Sequence, residues 1–142
     1  MATDFQLLVA VVDWLNRDDN TGSTRLVPIC TTRASSCGSE VSGWVGPTDC
    51  AVSSSEYGES IPFAGEAGQV VTVAGTSESY AFHLLLVGPS GVMADSEIAG
   101  NDGRTEIAGV TLAATGGYEV WAVDDPYEGP HAYTVRIDCS GP

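Results

Sequence analysis

The 142-residue chain has the length of one ordinary globular domain, and its hydrophobic content of 43% excludes a disordered chain. It carries 19 acidic residues against five basic ones, all five of them arginines, for a net charge of −14. A field this negative repels phosphate groups, so we expect no binding to nucleic acid and none to anionic membranes.

Residues 1–20 form an apolar segment that ends in a cluster of charges. Its apolar run, residues 7–12, is too short for a membrane span. Apolar residues recur in it at helical spacing, whereas the β-branched Val9, Val11 and Val12 favour a strand, and both interpretations stay open. A terminal strand can add to a neighbouring subunit's sheet, so this segment either packs on its own domain or forms a homo-oligomer through residues 1–20. The residues predicted to make the assembly contact are Phe5, Leu7, Leu8, Val9, Val11, Val12 and Trp14.

Residues 21–60 are irregular in pattern, rich in Ser, Thr and Gly, and hold three of the four cysteines. No C-x-x-C pair occurs, so the usual spacing of a zinc site is missing. The even cysteine count favours disulfides and an extracellular or cell-surface location. Of the three pairings, we predict Cys30–Cys37 and Cys50–Cys139. No secretion signal is visible, so we expect a trimmed secreted precursor, a single domain with an added Met1, or a leaderless product oxidised later.

Residues 61–139 show strand signals separated by turns. Alternation predicts strands at residues 68–75, 80–87, 110–112, 118–123 and 131–139. The fold class predicted from these short strands and Gly/Pro turns is all-β, an antiparallel β-sandwich of jelly-roll type with an N-terminal extension. The residues predicted to face its core are Phe82, Leu84, Leu86, Tyr133, Val135, Ile137 and Cys139.

Four motifs occur in a characteristic order along the second half of the chain. They are Phe63-x-Gly65-x-x-Gly68-Gln69, then Leu84-x-Leu86-x-x-Pro89-x-Gly91, then Gly117-Tyr118-x-Val120, and last Tyr133-x-Val135-x-Ile137. This order resembles the pre-peptidase C-terminal domain of bacteria and archaea. The resemblance implies a β-sandwich over residues 49–142, with residues 1–48 as an N-terminal region packed on it or exchanged between sandwiches.

The resembled family is non-catalytic and is appended to secreted proteases and other exported enzymes. The resemblance therefore implies an accessory or adhesive domain that binds a protein or a polymer, and no enzyme. Ser90 agrees with this, because its G-x-S-G lies between strands and is one residue short of a nucleophile elbow. Two alternatives stay open. One is a structural subunit of an extracellular filament or virion, and the other is a carbohydrate-binding module that binds a polysaccharide on Trp44, Trp121, Tyr57 and Tyr127.

Some members of the resembled family bind calcium through acidic loops, so a weak calcium site is our alternative to a domain without a cofactor. Asp124, Asp125 and Glu128 follow a predicted strand and offer the oxygen ligands that calcium prefers. Asp95 and Asp102 are weaker candidates. The strand before them, at Ala81-Phe82-His83-Leu84, lacks the acid that many members carry there.

Overall fold

The computed structural model describes residues 30, 32–53, 55–99, 102–125 and 130–141. Within these residues the chain forms nine strands, numbered here in chain order. They are β1 Glu40–Val45, β2 Cys50–Ala51, β3 Tyr57–Gly65, β4 Val70–Ser77, β5 His83–Gly88, β6 Gly91–Asp95, β7 Arg104–Thr111, β8 Gly116–Asp124 and β9 His131–Ser140.

The strands make two antiparallel sheets that pack face to face, and this confirms the predicted β-sandwich. The four-stranded sheet has the order β1-β9-β4-β7, and the five-stranded sheet has the order β2-β3-β8-β5-β6. The inner faces interdigitate in one hydrophobic core. Its largest fully buried side chains are Phe82, Ile61, Leu84, Leu86, Leu112, Ile137, Val45, Val71, Val73, Val120 and Val123.

Alternation along β9 gives the expected inner face, since Tyr133, Val135 and Ile137 are buried. The strand predicted at residues 110–112 is longer and begins at Arg104. The exposed Arg104 and the backbone irregularity near Gly109 hide its alternation. Gly109 has a φ of +66°, and the register with β4 shifts at this point, as a β-bulge requires.

The region predicted to be irregular, residues 21–60, contains β1, β2 and the start of β3, so that prediction is wrong for these strands. Strand β1 pairs along β9, with Val41 opposite Val135, and the sandwich therefore includes residues before the boundary predicted at residue 49. Gly43 conceals this strand in the sequence, because it interrupts the apolar alternation. A Cβ at Gly43 would lie 2.3 Å from Arg33 Nε, so the close approach leaves no room for a larger residue.

The predicted disulfides are also wrong. The structure joins Cys30 to Cys50 and Cys37 to Cys139, with Cα–Cα distances of 5.0 and 5.5 Å. Strand β1 runs antiparallel to β9, and the chain just before β1 therefore lies beside the end of β9, which brings Cys37 to Cys139. Cys50 lies on the other sheet, opposite Gly58 of β3, where it is bonded to Cys30.

The segment predicted to make the assembly contact, residues 5–14, lies outside the described residues, so its helix or strand character stays a prediction. In the part of the chain that the structure describes, no helix has the length and apolar character needed to cross a membrane.

Candidate functional site

One end of the sandwich carries polar side chains between its sheets. Glu59 follows the inward register of Ile61 and Phe63 on β3, and Asp124 does the same at the end of β8. Both carboxyl groups are almost completely buried, with residue exposures of 3% and 0%. A buried carboxylate needs charged or hydrogen-bonding partners, and each of these two has them.

Glu59 is held by an arginine and a tyrosine. Arg33 donates from Nε to Oε1 at 2.8 Å and from Nη2 to Oε2 at 3.2 Å, and this pair of bonds fixes the guanidinium plane. Tyr133 on the opposite sheet donates its hydroxyl to Glu59 Oε1 at 2.8 Å. The hydrogen bond to Glu59 raises the pKa of Arg33, while burial, followed by the hydrogen bond to Glu59, raises the pKa of Tyr133. The cluster ties the chain before β1 to both sheets.

The anchored guanidinium supports an exposed tryptophan. The Arg33 guanidinium carbon lies 5.9 Å from the centroid of the Trp44 ring, in cation–π geometry. Trp44 is nevertheless 59% exposed, so much of its surface faces solvent. Because Arg33 is fixed by Glu59, this large aromatic ring is presented on a rigid support.

A groove of about 330 Å³ lies where β4 ends and where β7 and β9 begin. Ala132 lines the groove and is the cross-strand partner of Trp44. Thr134 also lines it and shares a 3.2 Å hydrogen bond with Ser42. Acidic residues complete the lining on the side of β4 and β7. We call the resulting patch the Trp44 surface, made of Trp44, Ser42, Ala132, Thr134, Glu78 and Asp102.

Asp124 is the centre of a second buried network. Its Oδ1 accepts hydrogen bonds from Ser79 Oγ at 2.6 Å and from the Asp125 backbone N–H at 2.7 Å. Its Oδ2 lies 2.8 Å from Nδ1 of His131. The carboxylate therefore stands between the serine and the histidine. In a hydrolytic triad the imidazole stands between them and takes the serine proton, so this arrangement lacks the contact that activates a nucleophile.

The structure describes four of the five residues predicted to bind calcium. Both carboxylate oxygens of Asp124 already have partners, and Glu128 lies outside the described residues. Asp95 is on β6, while Asp102 precedes β7 and accepts a hydrogen bond from the Arg104 backbone at 3.1 Å. The described part of the chain holds no group of three or more His, Cys, Asp or Glu residues placed to bind a metal. Calcium binding at Asp124, Asp125 and Glu128 stays a prediction.

Two of the four aromatic residues predicted to bind a polysaccharide, Trp44 and Trp121, lie on different sheets. Trp44 lies on one sheet, while Trp121 lies on the outer face of the other, where its Nε1 donates to Glu119 at 2.8 Å. Tyr57 packs against the core, and Tyr127 lies outside the described residues.

Sequence reasoning missed the Glu59 cluster. The available signal was the inward register of Glu59 with the apolar residues that follow it on the same strand.

The buried Tyr133 phenol predicts a loss of stability in alkaline solution. A tyrosine in the unfolded chain ionises near pH 10, whereas the raised pKa keeps Tyr133 protonated in the folded protein. The contribution of the buried Tyr133 phenol to folding stability is therefore fully present below about pH 10 and is lost as the pH rises toward the pKa of the folded state. Between pH 9 and pH 11, we expect the midpoint temperature measured by circular dichroism to fall less steeply in Tyr133→Phe than in the wild type.

Tyr80→Phe is the matched control for this measurement, because Tyr80 is 67% exposed. The midpoint temperature of Tyr80→Phe should change with pH in the same way as that of the wild type. At neutral pH, Tyr133→Phe should be less stable by about 1–2 kcal/mol, since Glu59 loses a hydrogen bond. If the midpoint temperature of Tyr133→Phe falls between pH 9 and pH 11 as steeply as that of the wild type, the raised pKa of Tyr133 is contradicted.

Comparison with known proteins supports the fold. No protein-family model matches the sequence, and neither does any curated protein. The structure is similar to the pre-peptidase C-terminal domain of a collagenase from Bacillus anthracis, with a TM-score of 0.58, 13% identity, and coverage of 82% of this chain and 100% of that one. It is also similar to PliG of Salmonella Typhimurium, a periplasmic inhibitor of g-type lysozyme, with a TM-score of 0.50, 16% identity, and coverage of 78% and 99%. The described chain therefore has the β-sandwich fold of the pre-peptidase C-terminal domain that its four motifs predict.

Proposed function

We propose that this protein is a non-catalytic, extracellular binding domain that holds a partner protein on the Trp44 surface. The observation that carries the proposal is the support of Trp44. Its ring is 59% exposed, and it rests on a guanidinium fixed by a buried carboxylate. Trp and Arg dominate the binding energy of protein interfaces, and a ring already held in place loses little conformational freedom when a partner binds.

The charge of the chain defines the partner further. Glu78 and Asp102 line the groove beside Ala132, and the whole chain carries a net charge of −14. A partner with a basic face would be attracted over a distance and held against these carboxylates. The two disulfides support an extracellular location, where oxidised cysteines persist. PliG of Salmonella Typhimurium has a similar fold and inhibits a lysozyme, so a sandwich of this type is compatible with a protein partner.

The proposal is tested by binding measurements on defined partners. The immobilised chain is titrated with g-type lysozyme and collagen, and its retention on insoluble cellulose and chitin is measured in parallel. Trp44→Ala should weaken the protein interaction by about 30-fold, corresponding to about 2 kcal/mol for a central aromatic residue. Tyr80→Ala removes an aromatic side chain of similar exposure outside the Trp44 surface and should leave the affinity unchanged.

The outcomes distinguish the classes of partner. Binding to protein that depends on Trp44 and weakens as salt rises supports the proposal, because salt screens the acidic face. Binding to polysaccharide alone, with the same dependence on Trp44, would make the domain a carbohydrate-binding module. Equal binding of the wild type and Trp44→Ala to every partner would overturn the role of this surface.

A further inference from the structure

Strand β1 is an open edge of the four-stranded sheet, and its register is unbroken. It pairs with β9 over six consecutive residues, from Glu40 to Val45. In the described ranges, no strand pairs with the other side of β1. An edge of this kind is a template for another strand, because its outward N–H and C=O groups have no partner in a ladder.

In the described part of the chain, the other three edge strands carry features that oppose strand addition. Strand β2 has only two residues. The register of β6 with β5 skips Met93, as in a β-bulge. Strand β7 has exposed charges at Arg104 and Glu106, and its register with β4 also shifts. Short strands, bulges and charges are how natural sheets block an edge, and β1 has only the charge of its first residue, Glu40.

The backbone of β1 directs alternate residues toward the open side. Just before β1, Ile137 of β9 donates its N–H to Ser39 O at 3.0 Å, and this bond fixes where the bonded pairs of the ladder fall. Bonded pairs recur at every second residue of an antiparallel ladder, so the backbone groups of Glu40, Ser42 and Trp44 point away from β9. The same three residues are exposed. A strand added here would therefore bond to this row and lie beside Trp44.

We propose that the protein partner adds an extended segment to β1, antiparallel to it, with an apolar side chain on Trp44 and a basic side chain opposite Glu40. This inference rests on the proposed function and names how the partner is held. Main-chain hydrogen bonds supply the affinity of such an added strand, and its alternate side chains supply the specificity. The antiparallel direction is chosen because it is the more stable pairing per residue.

Charge favours a basic segment of another protein over a second copy of this chain. In the described part of the chain, no ion pair involves Glu40, because its cross-strand neighbour Arg136 bonds Asp138 instead. A lysine or arginine of the added strand would supply the opposite charge. Two copies would each bring a net charge of −14, and their repulsion opposes pairing of β1 with itself.

A synthetic peptide tests the pairing on the full chain. The capped sequence Leu-Val-Thr-Val-Arg, antiparallel to β1, places leucine on Trp44, threonine opposite Ser42 and arginine opposite Glu40. Its titration into the isotopically labelled chain, followed by nuclear magnetic resonance, should shift the amides of these three residues saturably and leave those of β6 unchanged. Methylation of the threonine amide, which faces β1, should weaken binding by about tenfold. Methylation of the next valine amide, which faces away, is the matched control and should not.

Two substitutions at Ser42 separate the backbone from the side chain. Ser42→Pro removes the N–H that would donate to the added strand, and it costs no bond to β9, because that N–H points to the open edge. Ser42→Ala keeps the N–H, and both variants lose the hydroxyl that contacts Thr134. Ser42→Pro should weaken peptide binding by about tenfold, whereas Ser42→Ala should bind as the wild type does. Circular dichroism shows whether Ser42→Pro stays folded, and the methylated peptides decide the question if it does not.

The outcomes separate this inference from the proposed function. Peptide binding that is weakened by Ser42→Pro and by the methylated threonine supports the pairing. If the peptide shifts no amide of β1, or shifts those of β6, the pairing is overturned, whatever Trp44→Ala does to a protein partner. If the peptide binds β1 but every protein partner binds Trp44→Ala and the wild type equally, the proposed function fails alone. A dimer in sedimentation equilibrium that protects the same amides would assign the edge to a second copy and overturn the proposal.

Discussion

Replacing Cys37 and Cys139 with serine should lower the free energy of unfolding by about 4–5 kcal/mol. The disulfide joins residues separated by 102 positions, and the chain-entropy model assigns about 4.7 kcal/mol to a closed loop of that size. It also fastens the segment before β1 to the end of β9, so its loss releases an edge strand of the four-stranded sheet. Urea unfolding followed by tryptophan fluorescence measures the loss.

The second disulfide provides the matched control. Cys30 and Cys50 are separated by only 20 positions, for which the same model gives about 3 kcal/mol. The double serine variant of this pair should therefore be destabilised less than that of the first. A larger loss from the shorter loop would show that strain or residual structure outweighs loop entropy. Peptide mapping of the oxidised wild type should recover Cys30–Cys50 and Cys37–Cys139. A Cys30–Cys37 disulfide would contradict the placement of β1 beside β9.

The sandwich was predictable because the alternation within a single strand shows which of its residues face the core. Tyr133, Val135 and Ile137 alternate with polar residues along β9, and this alternation needs no knowledge of any other strand. The cysteine pairing needs such knowledge. It depends on β1 lying beside β9, and β1 was concealed by Gly43, whose missing side chain makes room for Arg33. A glycine that is required by a close contact with a distant residue produces no pattern in the sequence around it.

The candidate site was harder to predict for a related reason. Asp124 and Glu59 are two among 19 acidic residues, and most acids in so negative a chain are expected on the solvated surface. Their burial follows from strand register, but their partners come from distant positions. Arg33 lies 26 residues before Glu59, and Tyr133 lies 74 residues after it. The sequence identifies such acids as inward-facing only after the strand bounds are known, and it does not identify what neutralises them.

Arg33→Met should be the most damaging change within the Glu59 cluster. Methionine keeps an unbranched apolar stem but removes the guanidinium, which leaves a buried carboxylate with Tyr133 as its remaining partner. Removing one member of a buried ion pair typically destabilises by 3–5 kcal/mol, and because the Arg33 side chain is 28% exposed we expect about 3 kcal/mol. Trp44 also loses the cation beneath its ring, so affinity for a protein partner should fall together with stability. Urea unfolding and partner titration at a temperature where the variant stays folded measure the two effects.

Arg136→Met separates the loss of a buried pair from the loss of any arginine. Arg136 bonds Asp138 at 3.1 Å, but both side chains are about half exposed, with values of 51% and 50%. A solvent-exposed pair contributes little, so this variant should stay within about 0.5 kcal/mol of the wild type. Adding Glu59→Gln to Arg33→Met should recover part of the stability, because the neutral amide no longer buries a charge and can still accept from Tyr133. If Arg33→Met destabilises no more than Arg136→Met, Glu59 does not depend on its arginine, and the rigid support proposed for Trp44 fails with it.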